Sequence, residues 1–277
     1  MKTLLNRVAA ITGAGSGMGR ALASALAARG CHLAISDINQ EALDETAASC
    51  QNYGIEVSTY QVDTSSKEAV YAFADKVVKD HGEVHMVFNN AGVSLTDNVE
   101  HMSYKDFEWL MDINFWGVVY GSKAFLPYLQ KVNDAHIINT SSIFGTIAVP
   151  SQSAYNASKF AVRGFTYAMR MELLDTHINV SCVQPGGVKT NIVRDSRYVA
   201  ADNSAQTKEE FVASFDTMAN LTPEQAAEKI LKGVMKNKAQ ILVGNDALFA
   251  SILERLAPVS YQKLIGKIFK DDPGNLS

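Results

Sequence analysis

The chain has 277 residues, of which 47% are hydrophobic and 19% are charged, and its formal net charge is −4. This composition suits a globular protein with a sizeable core, and it excludes a disulfide-stapled mini-protein and a disordered chain. We expect no nucleic-acid partner, because 25 basic residues are outnumbered by 29 acidic ones and phosphate binding needs a concentrated positive face. The three cysteines are widely spaced and form no CxxC pair, which favours a reducing, cytoplasmic location.

Short β-branched runs alternate with longer segments of helical periodicity along most of the chain. The predicted strands are 8–12, 32–36, 56–61, 84–89, 136–140, 178–183 and 241–243, and the predicted helices are 17–29, 39–52, 67–81, 104–130, 154–176 and 223–237. This alternation predicts a doubly wound α/β (Rossmann) fold, in which a seven-stranded parallel sheet carries helices on both faces. We expect a single domain over residues 1–250. It includes a polar, irregular segment at 191–221 that is typical of a substrate lid.

A glycine-rich turn follows the first predicted strand and opens the first predicted helix. It reads Gly13-Ala14-Gly15-Ser16-Gly17-Met18-Gly19. Glycines let the backbone approach a pyrophosphate, which is attracted by the free N–H groups at the helix N-terminus. Asp37 stands 18 residues beyond Gly19, at the end of the second predicted strand. Its carboxylate is expected to accept both hydroxyls of an adenosine ribose and to repel a 2′-phosphate.

No Lys or Arg occupies the neighbouring positions 14, 16 and 38, so Asp37 predicts NAD in preference to NADP. The alternative is that Asp37 only caps the helix that follows it.

Tyr155 and Lys159 stand four residues apart in a helical segment, so both side chains emerge on one face. A tyrosine needs about 4 kcal/mol of phenolate stabilisation to exchange protons near pH 7, and an ammonium in a dry cleft can supply much of it. Ser141 and Ser142 follow a predicted strand, at the sheet edge where open α/β folds bind ligands. Asn114 is a polar amide in a strongly apolar helical segment and needs a local partner.

Taken together, these motifs resemble those of the short-chain dehydrogenases/reductases. The matching segments, in the order and approximate spacing of that family, are Thr12-Gly-x-x-x-Gly17-x-Gly19, Asn89-Asn90-Ala91-Gly92, Asn114, Ser142, Tyr155-x-x-x-Lys159 and Pro185-Gly186. They cover roughly residues 5–245. The resemblance implies an oxidoreductase that transfers a hydride between NAD(H) and a secondary alcohol or ketone.

The resemblance also implies four catalytic roles. Tyr155 is expected to exchange a proton with the substrate oxygen, and Lys159 to lower the pKa of that tyrosine and bind the nicotinamide ribose. Ser142 is expected to hydrogen-bond the substrate oxygen, and Asn114 to hold a water that links Lys159 to solvent. Ser141 competes for the serine role, but the thirteen-residue spacing to Tyr155 favours Ser142.

Further cofactor contacts follow from the same resemblance. Asp63 is expected to accept the adenine amino group, Asn90-Ala91-Gly92 to line the adenine ribose, and Val188 and Thr190 to hold the nicotinamide carboxamide. The full expected set is Gly13, Ser16, Gly17, Met18, Gly19, Asp37, Asp63, Thr64, Asn90, Ala91, Gly92, Tyr155, Lys159, Pro185, Gly186, Val188 and Thr190. The helices at 104–130 and 154–176 are expected to form the interface of a homodimer or homotetramer.

Two further features carry separate expectations. Residues 251–277 form an extension beyond the matched region, and its amphipathic, basic segment could lie on an anionic membrane, extend an apolar substrate channel or pack on a neighbouring subunit. We expect Pro258 to divide this segment into two short helices. His81 and His85 are four residues apart, but Gly82 and a strand separate them, so we predict no metal site.

Apolar residues near the predicted site favour a lipophilic substrate, such as a steroid-like or acyl-chain alcohol. They are Ile143, Phe144, Val149, Ile192, Val193, Tyr198, Phe211, Val212, Phe215 and Met218. Three alternatives stay open: an NADP-dependent β-ketoacyl reductase of lipid metabolism, a non-catalytic dinucleotide-sensing protein, and a membrane-associated scaffold that acts through the C-terminal extension.

Overall fold

The computed structural model describes residues 3–198 and 207–271. Its strands are β1 (Val8–Thr12), β2 (His32–Asp37), β3 (Val57–Gln61), β4 (Met86–Asn89), β5 (Leu95–Thr96), β6 (Ala135–Thr140), β7 (Ile178–Pro185), β8 (Arg197–Tyr198) and β9 (Gln240–Val243). Seven of them form one sheet in the order β3-β2-β1-β4-β6-β7-β9, and every neighbouring pair is parallel. The predicted doubly wound, seven-stranded parallel sheet is therefore confirmed.

Helices cover both faces of this sheet. They are α1 (Gly17–Ala27), α2 (Gln40–Cys50), α3 (Lys67–His81), α4 (Tyr104–Met111), α5 (Gly117–Leu129), α6 (Ser153–Glu172), α7 (Lys208–Met218), α8 (Pro223–Met235), α9 (Asn245–Leu256) and α10 (Tyr261–Asp271). Within the described residues, no helix combines the length and apolar character needed to cross a lipid bilayer.

Alternation along the strands produces two cores, one on each face of the sheet. In β1, Ala9 and Ile11 face a cluster that includes side chains of α1, α2 and α8. Val8 and Ala10 face the opposite cluster, which includes side chains of α3, α5 and α6. Because successive strand residues point to opposite faces, a strand buried on both sides is apolar throughout. All five residues of β1 are accordingly buried.

The structure corrects the sequence prediction in three places. The single helix predicted at 104–130 is interrupted by a π-helical turn at Asp112–Trp116. The segment 191–221, predicted to be irregular, contains β8 and the helix α7, which begins with a capping box between Thr207 and Glu210. A second, two-stranded sheet pairs β5 with β8, and neither strand was predicted, since two-residue strands carry almost no periodic signal.

The C-terminal extension folds against its own chain. As predicted, the region of Pro258 separates two helices, α9 and α10. Buried Tyr261 packs with Ile147 and Ala250, and its hydroxyl accepts a 3.1 Å hydrogen bond from the backbone N–H of Ala148. Residues 199–206 of the predicted lid and 272–277 of the extension lie outside the described residues.

Candidate active site

Two adjoining cavities open at the carboxyl edge of the sheet, beside β1 and its neighbour β4. This is the switch point of a doubly wound fold, where crossovers leave toward opposite faces and ligands bind. The glycine-turn cavity has a volume of about 410 Å³, and the tyrosine cavity has a volume of about 360 Å³. Residues common to both linings are Met18, Asn90, Gly92, Ser94, Thr190 and Ile192. The cavities therefore form one continuous cleft.

The glycine turn is shaped so that its backbone faces the first cavity. Gly13 has a φ of +66°, and a Cβ placed there would lie 2.7 Å from the Cα of Ala91. Gly17 has a φ of +50°, and its Cβ would lie 3.1 Å from the Cγ2 of Thr190. The N-cap Ser16 makes no side-chain capping bond, and the first turn of α1 contains no acidic residue. The N–H groups at this helix end are thus available to an anion.

Asp37 lies at the rim of the glycine-turn cavity. Its Oδ2 accepts a 2.9 Å hydrogen bond from the backbone N–H of Gly15. Its Oδ1 accepts a 3.1 Å hydrogen bond from the backbone N–H of Asn39. The N-cap of α2 is Asn39, which accepts from the N–H of Ala42. The alternative in which Asp37 is only the cap of that helix is therefore wrong.

A nearby cation, Arg20, is already engaged. Its guanidinium donates to the carbonyl of Gly15 and forms a 2.8 Å ion pair with Glu45. Arg20 therefore does not pair with Asp37, and none of the described salt bridges involves the Asp37 carboxylate.

Thr12 and Asn90 hold the opposite wall of the glycine-turn cavity. The Thr12 hydroxyl accepts from the backbone N–H groups of Asn90 and Ala91, at 3.0 and 3.1 Å. The Asn90 amide donates to the carbonyls of Thr12 and Gly13, while its Oδ1 is buried with no hydrogen-bond partner. Buried acceptors are normally satisfied. This orphaned oxygen and the glycine cradle fit a bound dinucleotide.

The other expected cofactor residues fall into the same cleft. Asp63 and Thr64 line the glycine-turn cavity. Asp63 also accepts from the N–H and hydroxyl of Ser65, in front of α3. Pro185, Gly186, Val188 and Thr190 line the tyrosine cavity.

Tyr155 and Lys159 lie one turn apart on α6, at the wall of the tyrosine cavity. The Lys159 ammonium is 5.5 Å from the centroid of the Tyr155 ring and donates a 3.2 Å hydrogen bond to the carbonyl of Thr140. A Cβ on Gly92 would lie 3.3 Å from this ammonium. The absence of a side chain at Gly92 therefore keeps the approach to Lys159 open.

Burial dominates the titration of this pair. It raises the pKa of Tyr155 to about 12, although a hydrogen bond with Ser142 acts in the opposite direction, and it lowers the pKa of Lys159 to about 8. The direction for Tyr155 is opposite to the sequence-based expectation of a pKa near 7. The reason is that desolvation disfavours the phenolate, while the Lys159 ammonium lies beside the ring and bonds to a carbonyl. The phenol is consequently neutral, and able to donate a proton, throughout the physiological range.

The two candidate serines have different partners. The Ser141 hydroxyl donates a 2.7 Å hydrogen bond to the backbone carbonyl of Lys159. The Ser142 oxygen accepts a 3.1 Å hydrogen bond from the N–H of Phe144, and the Ser142 side chain acts to lower the pKa of Tyr155. Of the two serines, Ser142 is therefore the one that influences the titration of Tyr155, while the Ser141 hydroxyl is engaged with the backbone.

Asn114 lies in the π-helical turn and is completely buried. Its Oδ1 accepts from the N–H of Val93 at 2.8 Å, and its Nδ2 donates to the carbonyl of Val93 at 2.9 Å and to the Ser158 hydroxyl at 3.3 Å. The side chain thus pairs with the loop after β4 and with Ser158 of α6. π-bulges occur frequently at functional sites, and this one places Asn114 between that loop and α6.

The tyrosine cavity is mostly apolar away from its catalytic end. Its apolar lining consists of Met18, Ile143, Phe144, Ile147, Val149, Val188, Ile192, Val193, Phe211, Phe215 and Ile265. Phe211 and Phe215 come from α7, and Ile265 comes from α10. The helices α7 and α10 therefore both contribute walls to this cavity.

Several lining residues were not identified from the sequence, and three of them carry polar or aromatic side chains with defined places in the site. Trp109 lines the glycine-turn cavity, where Arg197 of β8 lies 3.6 Å from its ring centroid. Gln152 lines the tyrosine cavity and donates to the Thr96 hydroxyl at 2.8 Å. Asp246 lines the same cavity from the start of α9. Of these three, only Gln152 could have been suspected from the sequence as a site residue, because it stands three residues before Tyr155.

The histidine pair is not arranged as a metal site. His81 lies 3.7 Å from Glu56, while His85 accepts a hydrogen bond from the N–H of Val8 and lies 3.4 Å from Glu83. Among the described residues, no group of three His, Cys, Asp or Glu side chains is arranged to hold a metal ion.

Comparison with known proteins agrees with this geometry. The family model for short chain dehydrogenases matches residues 7–201. A Mycobacterium tuberculosis (H37Rv) protein with the name of an oxidoreductase, SadH, is 47% identical over 268 residues, which cover 96% of each chain. Human estradiol 17-beta-dehydrogenase 11 is 31% identical over 260 residues, which cover 93% of this chain and 81% of the human protein.

A solved structure shows the same fold. A Burkholderia phymatum short chain dehydrogenase/reductase in complex with NAD superposes with a TM-score of 0.83 at 32% identity, covering 95% of this chain and 97% of that one. The chain belongs to the short-chain dehydrogenase/reductase family and is an NAD(P)-dependent oxidoreductase that acts on CH–OH groups.

Proposed function

We propose that this enzyme interconverts a lipophilic secondary alcohol and its ketone with NAD(H), using Tyr155 as the acid and base. The observation that carries the proposal is the cleft itself. Tyr155 and Ser142 both line an apolar cavity that is continuous with the cavity of the glycine turn.

Each catalytic side chain has a role that its environment supports. When bound, the nicotinamide supplies or accepts the hydride. Ser142 and Tyr155 hold the substrate oxygen by hydrogen bonds, and the neutral Tyr155 phenol donates its proton to that oxygen during reduction. Lys159, whose pKa is lowered to about 8, carries a positive charge at neutral pH. It thereby favours negative charge developing on the tyrosine oxygen.

Asn114 acts as a positioning residue, because it joins α6 to the loop that carries Gly92 and Val93.

The cofactor preference that we propose is NAD. Asp37 presents a carboxylate at the rim of the glycine-turn cavity, and Arg20 is engaged with Glu45 and the Gly15 carbonyl. A 2′-phosphate in this position would meet a negative charge with no free cation from Arg20 to offset it. The NAD in the related Burkholderia phymatum structure supports the same preference.

The lipophilic substrate is proposed from the walls of the tyrosine cavity. Apolar side chains of α7 and α10 enclose it, so an aliphatic or polycyclic body gains favourable burial while its carbonyl stays at the polar end. The relationship to a protein with the name of an estradiol dehydrogenase is consistent with such a substrate. We further propose that residues 1–250 form the catalytic domain and that the extension at 251–277 acts as a wall of its substrate cavity.

We also propose a cytoplasmic homodimer or homotetramer that uses the helices α5 and α6. Trp116, the residue just before α5, and Phe160, on α6, are 43% and 40% exposed, respectively. Large exposed aromatics on such helices favour contact with a second copy. Cys31, Cys50 and Cys182 are all buried and free, which suits a reducing compartment.

The test is NADH and NADPH oxidation by the purified enzyme with a panel of ketones that includes short methyl ketones, long-chain ketones, ketosteroids and β-ketoacyl thioesters. We expect turnover of the apolar ketones with NADH. Faster turnover of β-ketoacyl thioesters with NADPH would instead identify a reductase of lipid synthesis. A protein that binds NADH with no turnover of any ketone, and no oxidation of the matching alcohols with NAD, would contradict the proposal in favour of a dinucleotide sensor.

A further inference from the structure

The turn that follows β7 is held in place by neighbours from distant parts of the chain. The N–H of Gly186 donates to the carbonyl of Val243 at 2.9 Å. Leu221 exchanges backbone hydrogen bonds with this segment, donating to the carbonyl of Gly187 and accepting from the N–H of Lys189. Each of these contacts is made by backbone atoms. A side chain fixes the turn at one further point, the N–H of Gly187.

That side chain is Asp246, in the first turn of α9. Its Oδ2 accepts a 2.6 Å hydrogen bond from the N–H of Gly187, and its Oδ1 accepts one of 2.9 Å from Ala247 at the start of the same helix. A carboxylate is stabilised in this place, because the N-terminal end of a helix carries a partial positive charge. Asp246 therefore joins the N-terminus of α9 to the turn.

The chain leaves space for this carboxylate by having glycines on both sides. A Cβ on Gly186 would overlap the Asp246 carboxylate, with all three of its nearest atoms belonging to that group. A Cβ on Gly244, which has a φ of +122°, would overlap the Asp246 Oδ1. Two positions without side chains thus flank this exposed acidic group, and a side chain at either position would displace its carboxylate.

The turn leads directly into the residues expected to hold the nicotinamide. Val188 and Thr190 line the tyrosine cavity, as does Asp246, and Val188 is 4% exposed. Thr190 also contacts the other end of the cofactor cleft, since a Cβ on Gly17 would lie 3.1 Å from its Cγ2. A shift of the Gly186-Gly187 turn would move both residues relative to Tyr155.

We propose that Asp246 is a positioning residue for cofactor binding, and that it acts by holding the Gly186-Gly187 turn so that Val188 and Thr190 present the nicotinamide correctly. The inference rests on the proposed function, in which these two residues contact the carboxamide. Asp246 acts through the turn, as a hydrogen-bond acceptor, and it transfers no proton.

The first experiment compares Asp246→Ala with Asp246→Asn in the full-length protein. NADH affinity is measured by fluorescence titration, and kcat and KM are measured with the best ketone from the panel. Because alanine removes the acceptor of a charge-assisted hydrogen bond, we expect Asp246→Ala to weaken NADH binding by about tenfold or more. Asparagine retains an oxygen acceptor, so Asp246→Asn should bind NADH within roughly threefold of the wild type. Glu254→Ala, also on α9, is the matched control and should leave NADH affinity unchanged.

A second experiment tests the contact with glycine. Gly186→Ala should weaken NADH binding in the wild-type background, because the new methyl group displaces the carboxylate. In the Asp246→Ala background the same change should have a clearly smaller effect, and the non-additivity measures the contact. Thermal melting of all variants shows whether each one is folded.

Two outcomes would overturn the proposal. One is a folded Asp246→Ala variant with wild-type NADH affinity and kcat, and the other is an Asp246→Asn variant as impaired in NADH binding as Asp246→Ala. The binding titration needs no ketone turnover. A wild-type protein that binds NADH but reduces nothing would therefore refute the proposed reaction while leaving the positioning role of Asp246 separately measurable.

Discussion

The ammonium of Lys159 lies 5.5 Å from the ring centroid of Tyr155 and bonds to the carbonyl of Thr140. The two side chains share a face of α6, yet the lysine does not contact the phenol oxygen directly in the described hydrogen bonds. Burial therefore dominates both pKa values: it raises that of Tyr155 and lowers that of Lys159. Each group is driven toward its neutral form, because the cavity penalises an ion of either sign.

Replacement of Tyr155 by Phe removes the proton donor and keeps the ring. We expect Tyr155→Phe to lower kcat for ketone reduction by about 10²-fold or more, as is typical for loss of a general acid. NADH affinity should change by only a few-fold, as measured by fluorescence titration. Tyr167→Phe, on the same helix, is the control and should retain activity. Wild-type kcat in Tyr155→Phe would remove the tyrosine from the mechanism.

The buried Lys159 is expected to affect stability in a defined pH window. Its pKa falls from 10.5 to about 8 on folding, so between these values the unfolded chain binds more protons than the folded one. Stability therefore rises with pH from about 8 to 10.5, while at lower pH the burial penalty is fully present, on the order of 3 kcal/mol. Denaturant unfolding should show that Lys159→Met exceeds the wild type in stability most strongly near pH 7. A stability difference that does not change between pH 7 and 10 would contradict the lowered pKa.

The choice between NAD and NADP is expected to depend on Asp37. Asp37→Asn keeps an oxygen acceptor for the N–H of Gly15 and removes the charge that opposes a 2′-phosphate. We expect the ratio of NADP to NAD affinity, measured by calorimetry, to rise by about tenfold or more. Asp44→Asn removes an equal charge from an exposed position on α2. This control should leave the ratio of NADP to NAD affinity unchanged. If Asp37→Asn behaves in the same way, the carboxylate does not determine cofactor choice.

Ile265 of α10 is expected to limit the size of the substrate. Ile265→Ala should raise kcat/KM for the bulkiest accepted ketones relative to short ones, and Ile265→Trp should lower that ratio by roughly tenfold. Val259→Ala, an exposed change just before α10, is the control. Tyr261→Phe removes the hydrogen bond from Ala148 and should shift the ratio in the direction of Ile265→Ala. Equal kcat/KM changes for long and short ketones in the two Ile265 variants would exclude the extension as a wall of the cavity.

The exposed aromatic on α6 is expected to belong to a subunit interface. Phe160→Glu would place a charge in an apolar contact and should convert the oligomer to monomers in light-scattering chromatography. Val99→Glu changes an even more exposed apolar residue, at 72%, and should keep the oligomer intact. A wild-type protein that elutes as a monomer would contradict the interface, as would a Phe160→Glu variant of unchanged mass.

The parts of the site that the sequence determined are local in the chain. The glycine turn joins β1 to α1 within a few residues, because φ values of +66° at Gly13 and +50° at Gly17 suit residues without a side chain. Tyr155 and Lys159 share a face because the helical repeat brings residues four apart together. The parallel arrangement of the strands and their burial on both faces also follow from the alternation of apolar strands and amphipathic helices.

Tertiary structure decided what depends on residues far apart in sequence. Asp246 meets Gly187 across 59 positions, and Ile265 reaches the catalytic cavity because Tyr261 anchors the extension near residue 148. The π-helical turn at Asn114 and the pairing of β5 with β8 depend on contacts with remote segments, which no local periodicity records. The pKa direction of Tyr155 was likewise decided by burial, because desolvation depends on the assembled cavity and not on the spacing of two residues along one helix.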